Sequence, residues 1–281
     1  MRSLGVVVFL VCASVTARPP ASLHGSTASF ACGIPPPTEQ HLDTHAMLMQ
    51  MEQSDSAASC TVIAPVNVYF HIVTSKEMTE DRMMNERIKQ QMEVLNDEYN
   101  PHGTKFKMAG ITKTVYAAWA ENNGSHDMMA AMRKGTYQDL NVYVQESLGG
   151  SAAGLCPYPG STSGPQDYIG DGCQIVAASL PGGGKYTGLN DGKAAVHEVG
   201  HWFGLLHTFE NGCEPPGDWI DDTPFEKSAP TSGCPTGLSS CNGTDPIHNH
   251  MDYTSGTCKT SFTPGQQMRM HSQWKMFRAG K

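Results

Sequence analysis

The segment HEVGHWFGLLH, at residues 197–207, constrains this chain more than any other part of it. His197 and His201 are four residues apart, and in a helix residues with this spacing project from the same face, about 40° apart around the axis. His207 lies too far along the chain for a continuing helix to keep it on that face. We therefore predict that the helix breaks at Gly204, because glycine tolerates a positive φ, and that the turn brings His207 back toward the other two imidazoles.

Three imidazoles at this spacing are typical of a catalytic zinc site, because three protein ligands leave a fourth position open for water. Glu198 directly follows the first histidine, which would place its carboxylate beside that water as a general base. The alternative is a buried helix whose histidines are merely packed. The added glycine and third histidine argue against it, because the complete pattern arises by accident with a probability on the order of 10⁻⁵ in a chain of this length.

The extended motif is the signature of metzincin metallopeptidases, which carry a methionine-containing turn downstream. The corresponding segment here is NHMDY, at residues 249–253. The resemblance implies that Met251 packs beneath the three histidines as a structural residue. It also implies that Tyr253 lies near the metal and hydrogen-bonds the oxyanion of the transition state, as a tyrosine does in some metzincin families. His250 departs from the aromatic or apolar residue that such proteins often carry before the methionine.

The segment after the zinc motif resembles the pappalysin family of metzincins, in particular the small secreted metalloproteases of fungi and bacteria. The similarity is specific from about residue 193 to residue 270, and it includes DDTP at 221–224 and FTPGQ at 262–266. Upstream the similarity is weaker. The resemblance implies a secreted zinc endopeptidase that hydrolyses peptide bonds of extracellular proteins and places its substrate along an edge strand.

The N-terminus is typical of a secretory signal peptide. Arg2 precedes an apolar run, and the run is followed by a cleavage site of small residues that ends at Ala17. We therefore predict that residues 1–17 are removed by cleavage after Ala17 and that the protein is extracellular. Residues 18–60 are rich in Pro, Ser and Gln and show weak periodicity, which indicates a propeptide or a loosely packed arm. The catalytic domain is predicted at 61–281, divided into an upper subdomain, 61–204, and a lower subdomain, 205–281.

The charge of the chain excludes one class of partner. The formal net charge is −8 and the acidic residues are scattered among basic ones, so the composition offers no basic face for nucleic acid. No stretch after the signal is long and apolar enough for a membrane span. Protein or peptide substrates remain as the expected partners, and Asn123 and Asn242 are candidate glycosylation sites in the extracellular compartment.

The cysteine count indicates disulfides. Nine cysteines become eight when Cys12 leaves with the signal peptide, and eight allow 105 connectivities. Cys156 and Cys173 flank a loop rich in Gly, Ser and Pro that a disulfide between them would close. The resemblance to pappalysins implies two pairs that would staple the irregular region after the zinc motif: Cys213 with Cys241, and Cys234 with Cys258.

The remaining cysteines, Cys32 and Cys60, have two possible roles. We favour a disulfide between them, because it leaves no odd cysteine in a secreted protein. In the other, the Cys32 thiolate takes the open zinc position and holds the enzyme latent until the N-terminal extension is cut, a device related to one known in the family.

Periodicity predicts an α+β fold of the metzincin-like zincin type. It consists of a mixed twisted sheet with a backing helix and an active-site helix, followed by a small irregular, disulfide-stapled C-terminal subdomain. Strands are predicted at 65–74, 105–117, 140–144 and 174–178, and helices at 79–99, 126–134, near 193 and at 264–277.

Three further interpretations stay open at this stage. Asp218, Asp221 and Asp222 are candidate calcium ligands by resemblance, although an ordinary Asp-rich turn explains them equally well. A secreted, non-catalytic protein that binds zinc for structure is one rival to the protease. A zinc hydrolase of a non-peptide bond is the other.

Overall fold

A computed structural model describes most of the chain. The described residues are 32–54, 62–77, 81–160, 164, 168–184, 188–230 and 233–281. The predicted signal peptide and Cys60 lie outside this set. None of the helices in the described ranges is long and apolar enough to cross a membrane.

A five-stranded sheet forms the centre of the fold, with the strand order β2-β1-β3-β5-β4. Four strands run parallel and β4 pairs antiparallel at one edge, which confirms the predicted mixed sheet. The bounds are β1 Val66–Thr74, β2 Phe106–Val115, β3 Leu140–Gln145, β4 Gly154–Leu155 and β5 Cys173–Val176. The short edge strand β4 was not predicted, because two residues show no periodicity.

Both faces of the sheet are covered, as parallel strands require. On one face lie the backing helix α2, Asp81–Tyr99, and the active-site helix α5, Lys193–Trp202. Ile88 and Leu95 of α2 join Val196 of α5 in the main core. The other face is covered by the four-residue helix α3, Ala117–Ala120, and by α4, Ser125–Met132, whose methionines pack on Tyr143.

The chain after α5 is irregular until helix α6, Pro264–Gln273. Thr263 caps this helix through a capping box with Gln266, and Pro264 occupies its first turn, so the sequence specifies its start. The helix continues as a π turn, Trp274–Arg278. Disulfides join Cys213 to Cys241 and Cys234 to Cys258 in the irregular region, and Cys156 to Cys173 beside β5.

Residues 39–54 of the N-terminal extension do not form the loosely packed arm that the composition suggested as one of two alternatives. Residues Glu39–Ser54 form a helix, α1, that docks on α6. Arg269 of α6 is buried and donates to both carboxylate oxygens of Glu52, while its Nη1 lies 2.6 Å from Nδ1 of the buried His45. Because a buried arginine needs such partners, the extension and the C-terminal helix form one packed unit.

Candidate active site

The zinc-motif helix ends where the sequence predicted. Helix α5 stops at Trp202, and Gly204 adopts a φ of +86° in the left-handed region. Leu205 N–H donates to Gly200 at 2.9 Å, which satisfies one of the last carbonyls of the helix. The turn folds the chain back, so that His207 lies next to the two helical histidines.

The three imidazoles converge through their Nε2 atoms. His201 Nε2 lies 3.1 Å from Nε2 of both His197 and His207. Nδ1 of His197 is bonded to the carbonyl of His250 at 2.7 Å, and Nδ1 of His201 to that of Leu205 at 2.8 Å. A carbonyl only accepts, so these two Nδ1 atoms carry the protons and leave lone pairs on Nε2.

The electrostatics of the cluster suit metal ligands. Burial, with a minor contribution from Lys259, lowers the pKa of His201 to about 4. Burial and neighbouring imidazoles hold the pKa of His197 and of His207 well below the usual value. All three rings are therefore neutral. Nitrogens held by tetrahedral zinc at about 2.0–2.1 Å would lie about 3.3 Å apart, close to the observed spacing.

Glu198 lies beside this cluster and is fully buried. Burial raises its pKa to about 8, against smaller lowering effects of Cys32 and Lys259. Its Oε2 accepts from Cys32 Sγ at 3.4 Å, and its Oε1 has no hydrogen-bond partner among the described residues. Gly154 of β4 approaches so closely that a Cβ there would overlap the Glu198 side chain, so the carboxylate lies against the edge strand.

Met251 lies beneath the helix that carries two of the histidines. It is fully buried, and a Cβ built on Gly200 would overlap its sulfur. Asn249 Oδ1 accepts from the Met251 N–H at 2.9 Å and so shapes the turn. Glycine between the histidines therefore allows the methionine turn to approach α5.

Tyr253 borders the cluster on another side. Its ring centroid lies 5.7 Å from that of His197 and 4.9 Å from that of His207. Burial, followed by the influence of Cys32 and Glu198, raises the pKa of its phenol, so the hydroxyl stays protonated. The side chain is therefore available as a hydrogen-bond donor next to the histidines.

The favoured pairing of Cys32 with Cys60 is wrong. Cys32 is a free thiol, and its Sγ lies with the three histidine nitrogens in a group whose ligand atoms are all within 4.8 Å of one another. The extension reaches this position by pairing with the sheet edge, where Gly33 N–H donates to the Gly154 carbonyl at 2.8 Å. The sequence indicated both alternatives, but only the fold brings residue 32 to α5.

Sequence reasoning missed two residues near the cluster. The ring of Tyr158 meets that of His201 edge-on, with centroids 5.4 Å apart. Lys259 is fully buried, and burial lowers its pKa to about 8 against the opposing effects of Asp191 and Asp252. Neither residue belongs to a motif with recognisable spacing, so no local signal identified them.

The three aspartates considered for calcium make separate contacts. Asp218 is buried and accepts from the Ile220 N–H at 3.1 Å, and Asp221 accepts from Gln53 at 2.8 Å. Asp222 accepts from the Thr263 hydroxyl at 2.7 Å and so stabilises the start of α6. Within the described ranges, these three carboxylates do not gather into one group of ligand atoms.

A mixed sheet, an H-E-x-x-H helix and a methionine turn beneath its histidines define the metzincin class of metallopeptidases. The family model described as Pregnancy-associated plasma protein-A, peptidase family M43, matches residues 123–275. The chain belongs to this family, the pappalysins, and is a metalloendopeptidase that acts on proteins.

Curated relatives extend the similarity over most of the chain. An extracellular metalloprotease of Pyricularia oryzae is 44% identical over 261 residues, which cover 90% of this chain and 91% of the relative. An extracellular metalloprotease of Sordaria macrospora is 44% identical over 263 residues, with 91% of each chain covered. These relatives and the presence of Glu198 disfavour the non-catalytic rival, and the relatives, which are named metalloproteases, favour hydrolysis of peptide bonds over other bonds.

A solved structure supports the fold. Mature mirolysin of Tannerella forsythia, in complex with a cleaved peptide, superposes with a TM-score of 0.61 at 24% identity. The match covers 75% of this chain and 92% of mirolysin. The metzincin-like architecture predicted from the sequence is therefore confirmed.

Proposed function

We propose that this chain is a secreted zinc-dependent endopeptidase, in which His197, His201 and His207 hold one zinc ion and Glu198 is the general base. The observation that carries the proposal is the convergence of three neutral imidazole lone pairs. Lone pairs that face one another repel unless a cation lies between them, and neutral nitrogen is a preferred zinc ligand. When bound, zinc supplies a Lewis acid that polarises the scissile carbonyl and lowers the pKa of water to about 7.

Glu198 supplies the proton transfers of the reaction. Its free Oε1 is available to accept a proton from the attacking water. The same carboxyl then donates that proton to the leaving amine nitrogen, so the carboxylate is restored at the end of the cycle. In the full-length chain this carboxylate is buried, which strengthens its interaction with charges in the site.

Edge strand β4 is the proposed binding site for substrate. It ends the sheet, and Gly154 approaches Glu198 closely, so a peptide added along this edge passes the general base. Strand addition uses backbone hydrogen bonds and therefore accepts many side chains. Gly33 of the extension already occupies this edge.

We also propose that Cys32 keeps the enzyme latent. Its Sγ lies among the histidine nitrogens and contacts Glu198, so one side chain blocks both the open ligand position and the base. The Tyr253 side chain hydrogen-bonds the backbone of Cys32. The extension therefore also engages the hydroxyl that is proposed to bind the oxyanion. Removal of the extension would free all three.

The remaining assignments follow from this function. We propose a signal peptide at 1–17, an inhibitory extension at 18–60 and a catalytic domain at 61–281 with subdomains 61–204 and 205–281. Asn123 and Asn242 are both exposed, which supports glycosylation during secretion. Calcium binding by Asp218, Asp221 and Asp222 stays a prediction, which calcium titration of the purified chain tests.

Metal analysis tests the proposed function directly. Purified full-length protein is expected to carry one zinc ion per chain by elemental mass spectrometry. After removal of the extension, it is expected to cut an unfolded protein such as casein at internal peptide bonds. Protein without stoichiometric zinc, or with cleavage confined to chain ends, would contradict the proposal.

Tyr253→Phe tests the oxyanion role. The variant keeps the ring that packs on His207 and Phe209 but loses the hydroxyl donor. A hydrogen bond to a charged group contributes about 1.5–3 kcal/mol, so kcat is expected to fall roughly 10- to 100-fold while KM changes little. Steady-state kinetics on a fluorogenic peptide measure both constants. A change in KM alone would instead assign Tyr253 to ground-state substrate binding.

A further inference from the structure

A partly buried polar network lies behind the histidine cluster, formed by Glu98, Lys193 and His250. His250 Nε2 lies 2.8 Å from Oε2 of Glu98, and the His250 side chain is almost completely buried. The ammonium of Lys193 pairs with Oε1 of the same carboxylate. Glu98 belongs to α2, Lys193 begins α5, and His250 immediately precedes Met251.

These contacts form a closed ring. The carbonyl of His250 accepts the Nδ1 proton of His197 at 2.7 Å, so one residue contacts both Glu98 and the first histidine of the motif. Lys193 and His197 are four residues apart on α5 and therefore share one face of the helix. The ring thus runs from α5 to α2, on to the methionine turn, and back to α5 one turn further along.

Charge explains why the ring has a defined geometry. Burial alone would raise the pKa of Glu98, but His250 and Lys193 outweigh it, so the pKa is lowered and the carboxylate is ionised. A partly buried carboxylate is costly unless its partners stay in place. The position of the His250 main chain is therefore tied to the start of α5.

We propose that Glu98 and His250 are positioning residues for His197, which they orient through the His250 carbonyl so that its Nε2 points at the metal. The inference rests on the proposed zinc site. A hydrogen bond to the second nitrogen of a ligand imidazole fixes its tautomer and orientation, and loss of such support typically weakens metal binding about 10- to 100-fold. His250 stands where similar proteins often carry an aromatic or apolar residue, and its contact with Glu98 gives the imidazole at this position a role.

The test measures zinc affinity in the full-length protein, in which Cys32 is common to every variant. Glu98→Gln and His250→Leu are each expected to raise the zinc dissociation constant about 10- to 100-fold, measured by competition with a chromophoric chelator. The double variant, with both Glu98→Gln and His250→Leu, is expected to bind zinc no more weakly than the single variant with the lower zinc affinity, because both changes open the same ring. The visible spectrum of the cobalt-substituted protein is expected to shift in all three variants.

Glu86→Gln is the matched control, because Glu86 lies on the same helix in an exposed ion pair with Lys89. It is expected to leave zinc affinity unchanged. In the ring variants, two further contacts still join α2 to α5 and are expected to keep the helices packed. Tyr99 Oη donates to the Val196 carbonyl at 2.8 Å, and Gln91 Nε2 donates to the Gly192 carbonyl at 3.0 Å.

Lys193→Met opens the ring at a position that is less buried than His250, and it tests the proposal if His250→Leu fails to fold. Unchanged zinc affinity in both Glu98→Gln and Lys193→Met, even with a lowered Tm, would overturn the inference and leave the network a purely structural role. Wild-type protein that binds no zinc would overturn the proposed zinc site itself.

Discussion

Glu198→Gln is expected to lower kcat about 10²- to 10⁴-fold and to leave zinc bound, because general acid–base catalysis typically contributes a factor of this size. Glutamine has nearly the same shape as glutamate, so the packing against Gly154 is kept. It cannot accept the proton of the attacking water, and it cannot deliver that proton to the leaving amine. Initial rates on a fluorogenic peptide, with zinc content measured on the same sample, test both halves of this expectation.

Glu121→Gln supplies the control for this experiment, because Glu121 is exposed at the end of α3 and makes the same change of charge. Its kcat is expected to match that of the wild type. Full turnover by Glu198→Gln would exclude Glu198 as the base. Loss of zinc together with activity would instead show that the carboxylate supports the ligands, since the three histidines are unchanged in this variant.

Local spacing explains why the centre of the site was predictable. His197 and His201 share a helical face whatever the rest of the chain does, and Gly204 breaks that helix because its conformation is costly for other residues. The position of Met251 followed from resemblance, and Gly200 gives it a physical reason, since a side chain there would displace the sulfur. Long periodic strands and helices were found for the same reason, with boundaries shifted by a few residues.

Contacts distant in sequence explain what was missed. Helix α1 has few apolar residues in register and buries only His45 and Leu48, so its pattern looked unstructured. It is held by Arg269, which is 217 residues from Glu52 in sequence. No pattern within residues 39–54 encodes that partner.

The network behind the histidines was hidden in the same way. His250 was visible as an unusual residue before the methionine, but its contact with Glu98 requires that α2 lie against the methionine turn. The sequence around Lys259 gives no sign that its side chain is buried, as it is in the fold. A polar residue in an apolar position was the only signal in the sequence, and it did not identify the partner.

Cys32→Ala is expected to convert the full-length chain from a latent to an active enzyme without any cleavage of the extension. A tethered thiolate acts at an effective concentration on the order of millimolar, so it competes strongly with peptide for the site, whereas alanine provides no ligand. Gly33 still pairs with Gly154 in the variant, so some competition for the edge strand remains. Peptide hydrolysis by freshly purified protein, with intact mass confirming an uncut extension, measures the gain.

Cys60→Ala separates the latency switch from a disulfide between the two cysteines. If Cys32 occupies the site, Cys60→Ala stays latent while Cys32→Ala is active. If the cysteines were paired, the uncut wild type would show no free thiol. In the wild type we expect the Cys32 thiol to resist a thiol reagent until a chelator removes the metal, because a thiolate bound to zinc is a poor nucleophile while a released one reacts. A Cys32→Ala chain as inactive as the wild type would show that strand pairing alone blocks the cleft.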